Sequence, residues 1–380
     1  MELSVNQYFG KIIIDSCQHI NAMLCIDKDK PNEGVLHCWN SNPLVVIQTL
    51  PIAMLVKFEY SNDNNISLVP INFYHINQSL SICQLSHSTT PTNISIYGVY
   101  DNNSINGNWI YENQKGTFSL NSTLVNDKEG NLSIPQLNTW SEFKNWASDH
   151  ARTRDNIAVF RGQGSNEFSL RTTFHRTGKY RLERYCNEIL SELQNHSEAV
   201  FNTRIDLSNS QQYSTLLGLA QHHGLPTPLL DLTKSPYIAA FFAFSDALEN
   251  KRQNNKFVRI YGFTHDFIAE YSYLTVSIPY ISPYIATLSI SSVGNPRLHV
   301  QQGQFIVTNI SSLESFIISE QIRLQKTLMI AVDISIDCIA EALTDLQYMG
   351  ITAATLFPGI DGVCKMLKHQ MLRDLISAEN

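Results

Sequence analysis

The chain has 380 residues, of which 43% are hydrophobic and 16% are charged, and its formal net charge at pH 7 is −7. This length allows two domains that each have a core, and the composition excludes a disordered or coiled-coil chain. The acidic balance argues against broad nonspecific binding to nucleic acid, because that requires a basic surface.

The sequence carries no visible signal for export or membrane insertion. No stretch approaches the roughly 18 apolar residues that a membrane helix needs, and Met1–Ser4 lacks the basic region of a secretory signal. The seven cysteines are an odd number and include no Cys-x-x-Cys pair. This pattern favours free thiols in a reducing compartment over disulfides or a metal site, so we expect a cytoplasmic protein.

Residues 1–133 are predicted to form an antiparallel β-sandwich or barrel that serves as a sensor or accessory domain. The β-rich runs are 11–14, 45–47, 54–58 and 94–97, with turn residues at 62–65, 101–103 and 114–116. Runs beginning at Gly98, Gly107 and Gly116 indicate a meander of antiparallel strands. We expect Trp109 and Phe118 to fill its interior.

Residues 137–380 are predicted to form a mixed α/β domain after a linker at 131–135, which makes the fold class α+β. Thr139 followed by Glu142 matches a capping box and predicts a helix start. Helices are then predicted around 179–201, 211–223, 235–249 and 336–348. Strands are predicted at 157–161, 256–263, 300–308 and 329–333.

Arg161 is the strongest single candidate for a site residue. It leaves a short apolar strand and precedes Gly162 and Gln163, so its planar guanidinium can reach an anion while the glycine lets a ligand approach the backbone. The alternative is an internal ion pair with a carboxylate such as Asp231, and the local chemistry leaves both open. We predict that Arg161 and Asp231 line a common hollow that accepts an anion.

A basic run follows the Arg161 strand. Its members are Arg171, His175, Arg176, Lys179, Arg181 and Arg184. It is either a local basic patch or the solvated face of a helix, and the second interpretation is favoured.

A stiff connection between two helices carries the other main candidates. The first helix ends at Gly224, because Pro226 and Pro228 forbid its continuation. We predict a proline loop that presents polar side chains to a ligand, namely Gln221, His222, Thr227, Asp231 and Thr233. His222 and His223 point about 100° apart on a helix, so we do not expect them to share a metal.

Residues 297–305 are interpreted as a turn that enters a strand. In a strand Arg297, His299 and Gln301 would share one face, with Gln302 and Gln304 on the other. A buried glutamine there would bind a sugar hydroxyl, or it would pair with backbone at a bulge near Gly303.

Together these segments resemble the FRG domain family. Phe160-Arg161-Gly162 matches the run that names the family, and residues 219–231 resemble its long Gln-His signature. Residues 297–305 and 350–359 resemble its later elements, so that the resemblance extends from about Trp140 to the C-terminus. His223 and Pro228 stand where the family often has Tyr and Arg.

The order of elements in that family is similar to the ADP-ribosyltransferases, which implies a split-sheet fold and NAD as a substrate. By this analogy the catalytic residues are Arg161, Gln301 and Gln302. The residues implied to bind NAD are Arg161, Gly162, Gln163, Gln221, His222, Thr227, Asp231, Thr233 and Arg297. No Glu lies in the 297–306 segment, so Glu314 or Glu320 would have to approach the site, or catalysis would proceed without that carboxylate.

The resemblance therefore implies an NAD-consuming effector, either an ADP-ribosyltransferase or an NAD glycohydrolase, that the N-terminal β domain regulates. Such a protein would act as a toxin or in bacterial defence against phage. Its partners would be NAD or a related nucleotide and an unknown protein or nucleic-acid acceptor, with no membrane, and an exposed β edge could support a homo-oligomer. The alternative is a non-catalytic module that binds a nucleotide or a protein, and a metal-dependent hydrolase that uses His222 and Asp231 ranks last.

Overall fold

The computed structural model contains two β-sheets that follow each other along the chain. It describes residues 3–14, 19–39, 52–61, 63–76, 82–85, 93–122, 132–152, 157–250, 255–272, 283–288 and 296–379. The first sheet uses residues 7–122 and the second uses residues 136–335. The fold is mixed α+β, since all of the described helices follow the first sheet along the chain.

The first sheet closes into an eight-stranded antiparallel barrel. Its strands are β1 (Gln7–Ile13), β2 (His19–Cys25), β3 (Glu33–Trp39), β4 (Ile52–Tyr60), β5 (Asn65–Ile76), β6 (Ile82–Gln84), β7 (Ile94–Tyr100), β8 (Ser104–Tyr111) and β9 (Gln114–Ser122). The order is β4-β3-β2-β1-β9-β8-β7-β5, and β4 pairs again with β5, while β6 extends from β5 outside the ring. Closure follows from the alternation of inward and outward side chains, and it removes the exposed edges of those eight strands.

The predicted meander is confirmed as β7, β8 and β9, but two of its details differ. Phe118 lies in the barrel core, whereas Trp109 is only half-buried and donates its indole N–H to the carbonyl oxygen of Ile13 at 3.2 Å. The predicted turn at 114–116 is wrong, because these residues already belong to β9. The turn lies between β8 and β9, at Glu112, whose φ is +53°. The predicted strand at 45–47 lies outside the described residues.

The second sheet has seven strands and mixed pairing. Its strands are β10 (Gln136–Leu137), β11 (Ile157–Gln163), β12 (Leu229–Thr233), β13 (Phe257–Thr264), β14 (Ile285–Leu288), β15 (Gly303–Thr308) and β16 (Met329–Ser335). The order is β10-β16-β13-β11-β12-β15-β14, with β10 parallel to β16 and every other pair antiparallel.

Helices surround this second sheet. They are α1 (Trp140–Arg152), α2 (Thr173–Arg176), α3 (Leu182–Arg184), α4 (Ser191–Phe201), α5 (Ser210–His222), α6 (Pro236–Glu249), α7 (His265–Glu270), α8 (Pro296–Val300), α9 (Leu313–Leu324), α10 (Ile339–Tyr348), α11 (Ala353–Leu356) and α12 (Ile360–Glu379). A π-helix (Tyr185–Leu190) joins α3 to α4, and a 3₁₀ turn (Ile336–Cys338) precedes α10. The predicted capping box is confirmed, since Thr139 and Glu142 exchange hydrogen bonds with each other's backbone N–H at 3.2 and 3.1 Å.

Two groups of helices cover one face of the second sheet and leave a gap between them. α1, α6 and α10 pack over β11, β13 and β16, with Phe160 in the shared core. α5 and α8 pack over β12, β14 and β15, with Leu229 in a separate core. The opposite face packs against α9 through Val159 and Leu230. The gap lies where β11 meets β12, and this is where the candidate site lies.

The barrel is joined to the part of the chain that carries the second sheet through the buried carboxylate of Asp27 and the buried side-chain amide of Gln7. Asp27, 1% exposed, accepts hydrogen bonds from the backbone N–H of Tyr180 and Arg181 at 2.6 and 2.9 Å and from Nη1 of Arg184 at 2.7 Å. The Gln7 side chain donates to the carbonyl of Asn309 at 2.8 Å. These contacts connect the barrel to the 180–184 segment and to the residue that follows β15.

Two further sequence predictions about local structure are wrong, and both concern short segments beside the gap. Residues 229–233 are not part of a proline loop but form β12, because β15 pairs with them over their whole length. Residues 296–300 form α8 and not the start of a strand, because Pro296 occupies the first helical position. Gln302 then adopts a left-handed conformation, with φ of +49°, before β15 begins.

Candidate functional site

A cleft of about 380 Å³ opens in the gap between the two helical groups. We call it the main cleft. It is lined by Phe160, Arg161, Gly162, Thr173, Gln221, His222, Gly224, Leu225, Asp231, Leu232, Thr233, Ala239, Phe242, Arg297, Gln301 and Phe357. The structure thus brings Arg161 and Asp231 into one cleft, as the sequence predicts, and it brings most of the other candidates with them.

Arg161 lies where β11 and β12 separate. In the described part of the sheet these two strands form a single residue pair, Phe160 with Thr233, after which β11 diverges. The Arg161 side chain enters the divergence, and its Nη1 donates to the main-chain carbonyl of Asp231 at 2.8 Å. The guanidinium therefore satisfies a carbonyl that a neighbouring strand would otherwise satisfy.

The charge of Arg161 is only weakly compensated. Its Nη1 lies 4.0 Å from Oδ2 of Asp231, and its side chain is 15% exposed while that of Asp231 is 53% exposed. Nε of Arg161 is buried and has no hydrogen-bond partner among the described residues. Burial lowers the pKa of Arg161, the nearby Asp231 raises it, and the positive charge of Arg176 lowers it further. A bound anion would compensate the positive charge of Arg161 and raise its pKa.

A chain of side-chain hydrogen bonds holds the Asp231 carboxylate in place. Gln221 donates from Nε2 to Oδ2 of Asp231 at 3.0 Å. Oε1 of the same glutamine accepts hydrogen bonds from the hydroxyls of Thr227 and of Thr173, the latter at 3.4 Å. Thr227 is fully buried and does not line the main cleft, so it orients Gln221 and makes no contact with a ligand in that cleft.

The far wall of the main cleft comes from the segment that the sequence interpretation placed in a strand. Gln301 donates from Nε2 to the carbonyl of Leu356 at 3.0 Å and its own carbonyl accepts from Thr233 at 2.8 Å. Arg297 lies over the ring of Phe357 at 5.8 Å. Gln302 is exposed and does not line this cleft, which argues against the catalytic role implied for it.

The two histidines of the signature diverge as predicted from helix geometry. His222 lines the main cleft and lies 6.3 Å from the Phe305 ring, measured between centroids, whereas His223 is exposed. Among the described residues, no group of three or more His, Cys, Asp or Glu side chains is placed to hold a metal ion.

The glutamates considered as catalytic substitutes are held elsewhere. Both lie on α9, against the opposite face of the sheet. Glu314 accepts a hydrogen bond from the Tyr261 hydroxyl at 2.9 Å, and Glu320 pairs with Arg323 at 2.7 Å. Asp231 is therefore the only carboxylate among the described residues that line the main cleft.

A second cleft of about 570 Å³ adjoins the first across Arg161 and Gly162. We call it the arginine cleft. It is lined by Arg161, Gly162, Gln163, Gly164, Glu167, Phe168, Ser169, Arg171, Arg176 and Asp246. Gln163 therefore belongs here and not to the main cleft.

The basic run divides between two environments, and it is not the solvated helix face that the sequence interpretation favours. Arg171 and Arg176 line the arginine cleft, while Arg181 and Arg184 pair with acidic residues of the barrel. His175 is buried, which lowers its pKa to about 3 and leaves it neutral. Only Arg171 and Arg176, among the described residues of the run, contribute to a basic cleft wall.

Gly162 meets a packing requirement that the sequence analysis does not predict. A Cβ at this position would lie 1.9 Å from the carbonyl oxygen of Ala239 on α6. The glycine is required because the helix backbone approaches β11 closely, whether or not a ligand does so as well. Sequence reasoning does not name Thr173 or Phe242 as a site residue, because Thr173 lies in no recognisable motif and Phe242 reads as one apolar residue of a helix.

Comparison with known proteins gives a family match and a structural similarity. Among the solved structures, the chain is similar to a redesigned beta barrel, with 7% identity, 31% of this chain and 90% of that chain covered, and a TM-score of 0.21. The curated proteins give no match. Within the described residues, none of the helices combines the length and apolar content needed to cross a membrane. Residues 156–252, which carry Arg161, Gln221 and Asp231, match the model of the FRG domain family.

Proposed function

We propose that the main cleft binds NAD or a closely related nucleotide and that the protein consumes NAD by cleaving the bond between nicotinamide and ribose. One observation carries the proposal: a buried, weakly compensated guanidinium and a half-exposed carboxylate line the same cleft. The first is suited to a diphosphate and the second to a ribose that becomes positively charged.

Arg161 would hold the diphosphate. Guanidinium groups bind phosphate oxygens through short, charge-assisted hydrogen bonds. Nη1 is already engaged by the Asp231 carbonyl, which orients the group, and Nε has no described partner. A phosphate would supply both the missing acceptor and the missing negative charge.

Asp231 would face the reacting sugar. In hydrolysis, the bond from C1′ to the nicotinamide nitrogen breaks and its electron pair leaves with nicotinamide, while a water oxygen bonds to C1′ and releases a proton to the carboxylate. The transition state is oxocarbenium-like, so a carboxylate whose position is held in advance stabilises it. Gln221 supplies that restraint through its 3.0 Å hydrogen bond. In transfer, a nucleophile of the acceptor replaces water.

The likeness to ADP-ribosyltransferases belongs to this proposal. It is supported by the divergence of β11 from β12 at Arg161, which resembles the split sheet expected for that fold. The proposed context, an effector in bacterial defence against phage or a toxin that the barrel regulates, rests on the resemblance and on the arrangement of the two halves.

Nicotinamide release from NAD tests the proposal. We expect Asp231→Asn to lower kcat by about 10²–10³-fold with a small change in KM, because it removes charge that acts on the transition state. Arg161→Ala should weaken NAD binding. Asp149→Asn, an exposed carboxylate on α1 away from both clefts, is the matched control and should leave both parameters unchanged. The proposal fails if the wild-type chain releases no nicotinamide from NAD.

One observation favours a second candidate, a non-catalytic module that binds a nucleotide or a protein. Asp231 is the only carboxylate among the described residues of the main cleft, and it already accepts a hydrogen bond from Gln221. A pure binding module would be stabilised by the nucleotide without turnover. Both candidates keep that stabilisation in Asp231→Asn, so the release of nicotinamide by the wild-type chain is the measurement that separates them.

A further inference from the structure

The arginine cleft has the chemistry of a ligand site that the proposed reaction does not yet use. Three guanidinium groups line it, those of Arg161, Arg171 and Arg176, together with the carboxylates of Glu167 and Asp246. Its volume of about 570 Å³ is within the range of about 300–1,000 Å³ typical of small-molecule sites.

Three side-chain polar atoms of its lining residues are buried and have no hydrogen-bond partner among the described residues. They are Nε of Arg161, Nε of Arg171 and Oε1 of Gln163. Gln163 is 7% exposed, and its amide nitrogen makes only a long contact of 3.5 Å to the carbonyl of Ser169. Buried polar groups are normally paired, so this set indicates a ligand that supplies both acceptors and a donor.

We infer that the arginine cleft binds the adenosine diphosphate half of the dinucleotide whose nicotinamide end lies in the main cleft. The inference rests on the proposed function, because one molecule would have to cross the boundary at Arg161 that the two clefts share.

The charges of the cleft fit that half of the ligand. Phosphate oxygens accept hydrogen bonds from Arg161, Arg171 and Arg176, and Arg176 is already oriented by the bond from its Nη1 to the carbonyl of Arg171 at 3.2 Å. Ribose hydroxyls donate to Oε1 of Gln163 and to the carboxylates that would repel a phosphate. A lone phosphate would leave these acceptors unused, whereas a nucleoside diphosphate engages them.

An aromatic ring at the rim of the arginine cleft is suited to the remaining part of the ligand, the adenine base. Phe168 lines the arginine cleft and its side chain is 39% exposed. Bases stack on such rings with little dependence on base identity. The order along the cleft is then diphosphate at Arg161 and base towards Phe168.

Calorimetric titration of the full chain with ADP, adenosine, nicotinamide riboside and NAD tests the inference. Arg176→Gln should weaken ADP and NAD by about 10-fold, the size expected for one charge-assisted hydrogen bond, and should leave adenosine and nicotinamide riboside unchanged. Arg204→Gln is the matched control, because its side chain is 95% exposed and lies in neither cleft. Phe168→Ala should weaken adenosine and ADP alike.

The outcomes separate this inference from the proposed function. Equal ADP affinity in Arg176→Gln and the wild type, with a folded variant of unchanged melting temperature, overturns the inference even if NAD is cleaved. A 10-fold loss of ADP affinity without any release of nicotinamide upholds the inference and removes the enzymatic proposal. Absence of binding by every probe overturns both.

Discussion

Replacing Gly162 by alanine tests whether this glycine accommodates a helix or a ligand. The added Cβ would lie 1.9 Å from the carbonyl oxygen of Ala239 and 2.8 Å from its carbonyl carbon. Real Cβ contacts essentially never fall below 3.0 Å. Relief therefore requires α6 to move away from β11 by about 1 Å or more, because the obstructing atoms belong to the backbone and have no rotamer to change.

The size of the effect follows from this geometry. Overpacking a close-packed interior costs about 1–3 kcal/mol. The upper end applies here, since the collision is with main chain and the whole helix must shift. For a domain of 150–250 residues, each kcal/mol lowers Tm by about 2–4 °C, so Gly162→Ala should lower it by roughly 6–12 °C.

Thermal unfolding followed by circular dichroism is the assay, with Gly350→Ala as the matched control. Gly350 has φ of +78° and nothing within 4 Å of its added Cβ. Only backbone strain remains there, about 1 kcal/mol, and Tm should fall by about 2–4 °C. If Gly162→Ala keeps the wild-type Tm and loses only nucleotide affinity, the glycine serves the ligand and the packing argument is refuted.

Three other measurements examine separate parts of the structure. Asp27→Ala should lower the free energy of unfolding by about 3–5 kcal/mol in urea titrations, because it leaves buried donors unpaired, whereas Asp29→Ala, whose side chain is 46% exposed, should cost about 1 kcal/mol or less. Burial raises the pKa of Glu249, but hydrogen bonds from α12 lower it to about 2; its stabilising effect, complete above the ordinary value of 4.5, should be lost as pH falls from there towards 2, and Glu249→Gln should flatten that acid dependence. Iodoacetamide at pH 8 should label the exposed Cys364 in the native protein and spare Cys38, whose pKa burial raises to about 12, as peptide mass mapping would show.

Local signals in the sequence were sufficient wherever neighbouring residues determine the structure. The Thr139–Glu142 capping box and the Ser235-Pro236 helix start both appear where predicted, because each uses backbone groups within one turn. The meeting of Arg161 with Asp231 was also predicted. That prediction rests on the chemistry of the two side chains, a guanidinium and a carboxylate, although 70 residues separate the two positions.

The wrong predictions have a common physical cause. The structure of a short segment depends on partners that are distant in the sequence. The prolines before residues 229–233 predict a loop there, yet these residues form a strand because they pair with β15, which begins at Gly303. Residues 297–301 show an alternation too short to distinguish a strand from a single helical turn. The basic run does not form a solvated helix face, because Arg181 pairs with Glu33, which lies 148 residues away in the sequence.

The segment 172–184 explains why the barrel and the clefts have to be considered together. Its start supplies Thr173 to the main cleft and Arg176 to the arginine cleft, and its end is bound by the barrel through Asp27. Lys28 also donates its backbone N–H to the carbonyl of Gly178 at 2.9 Å. The loop between β2 and β3 therefore holds one wall of both clefts.

Removing the barrel would remove the contacts that hold that wall in place. Arg181 is 5% exposed and pairs with Glu33 of the barrel at 2.6 Å, while Arg184 pairs with Asp27 at 2.7 Å. Without those carboxylates the two guanidinium groups would keep only Glu183 and Glu188 as anionic partners, and the surface of the 172–184 segment that the barrel covers would face solvent. The isolated second half would then present Arg176 on an altered support, so nucleotide affinity measured on the full chain is the relevant quantity for both clefts.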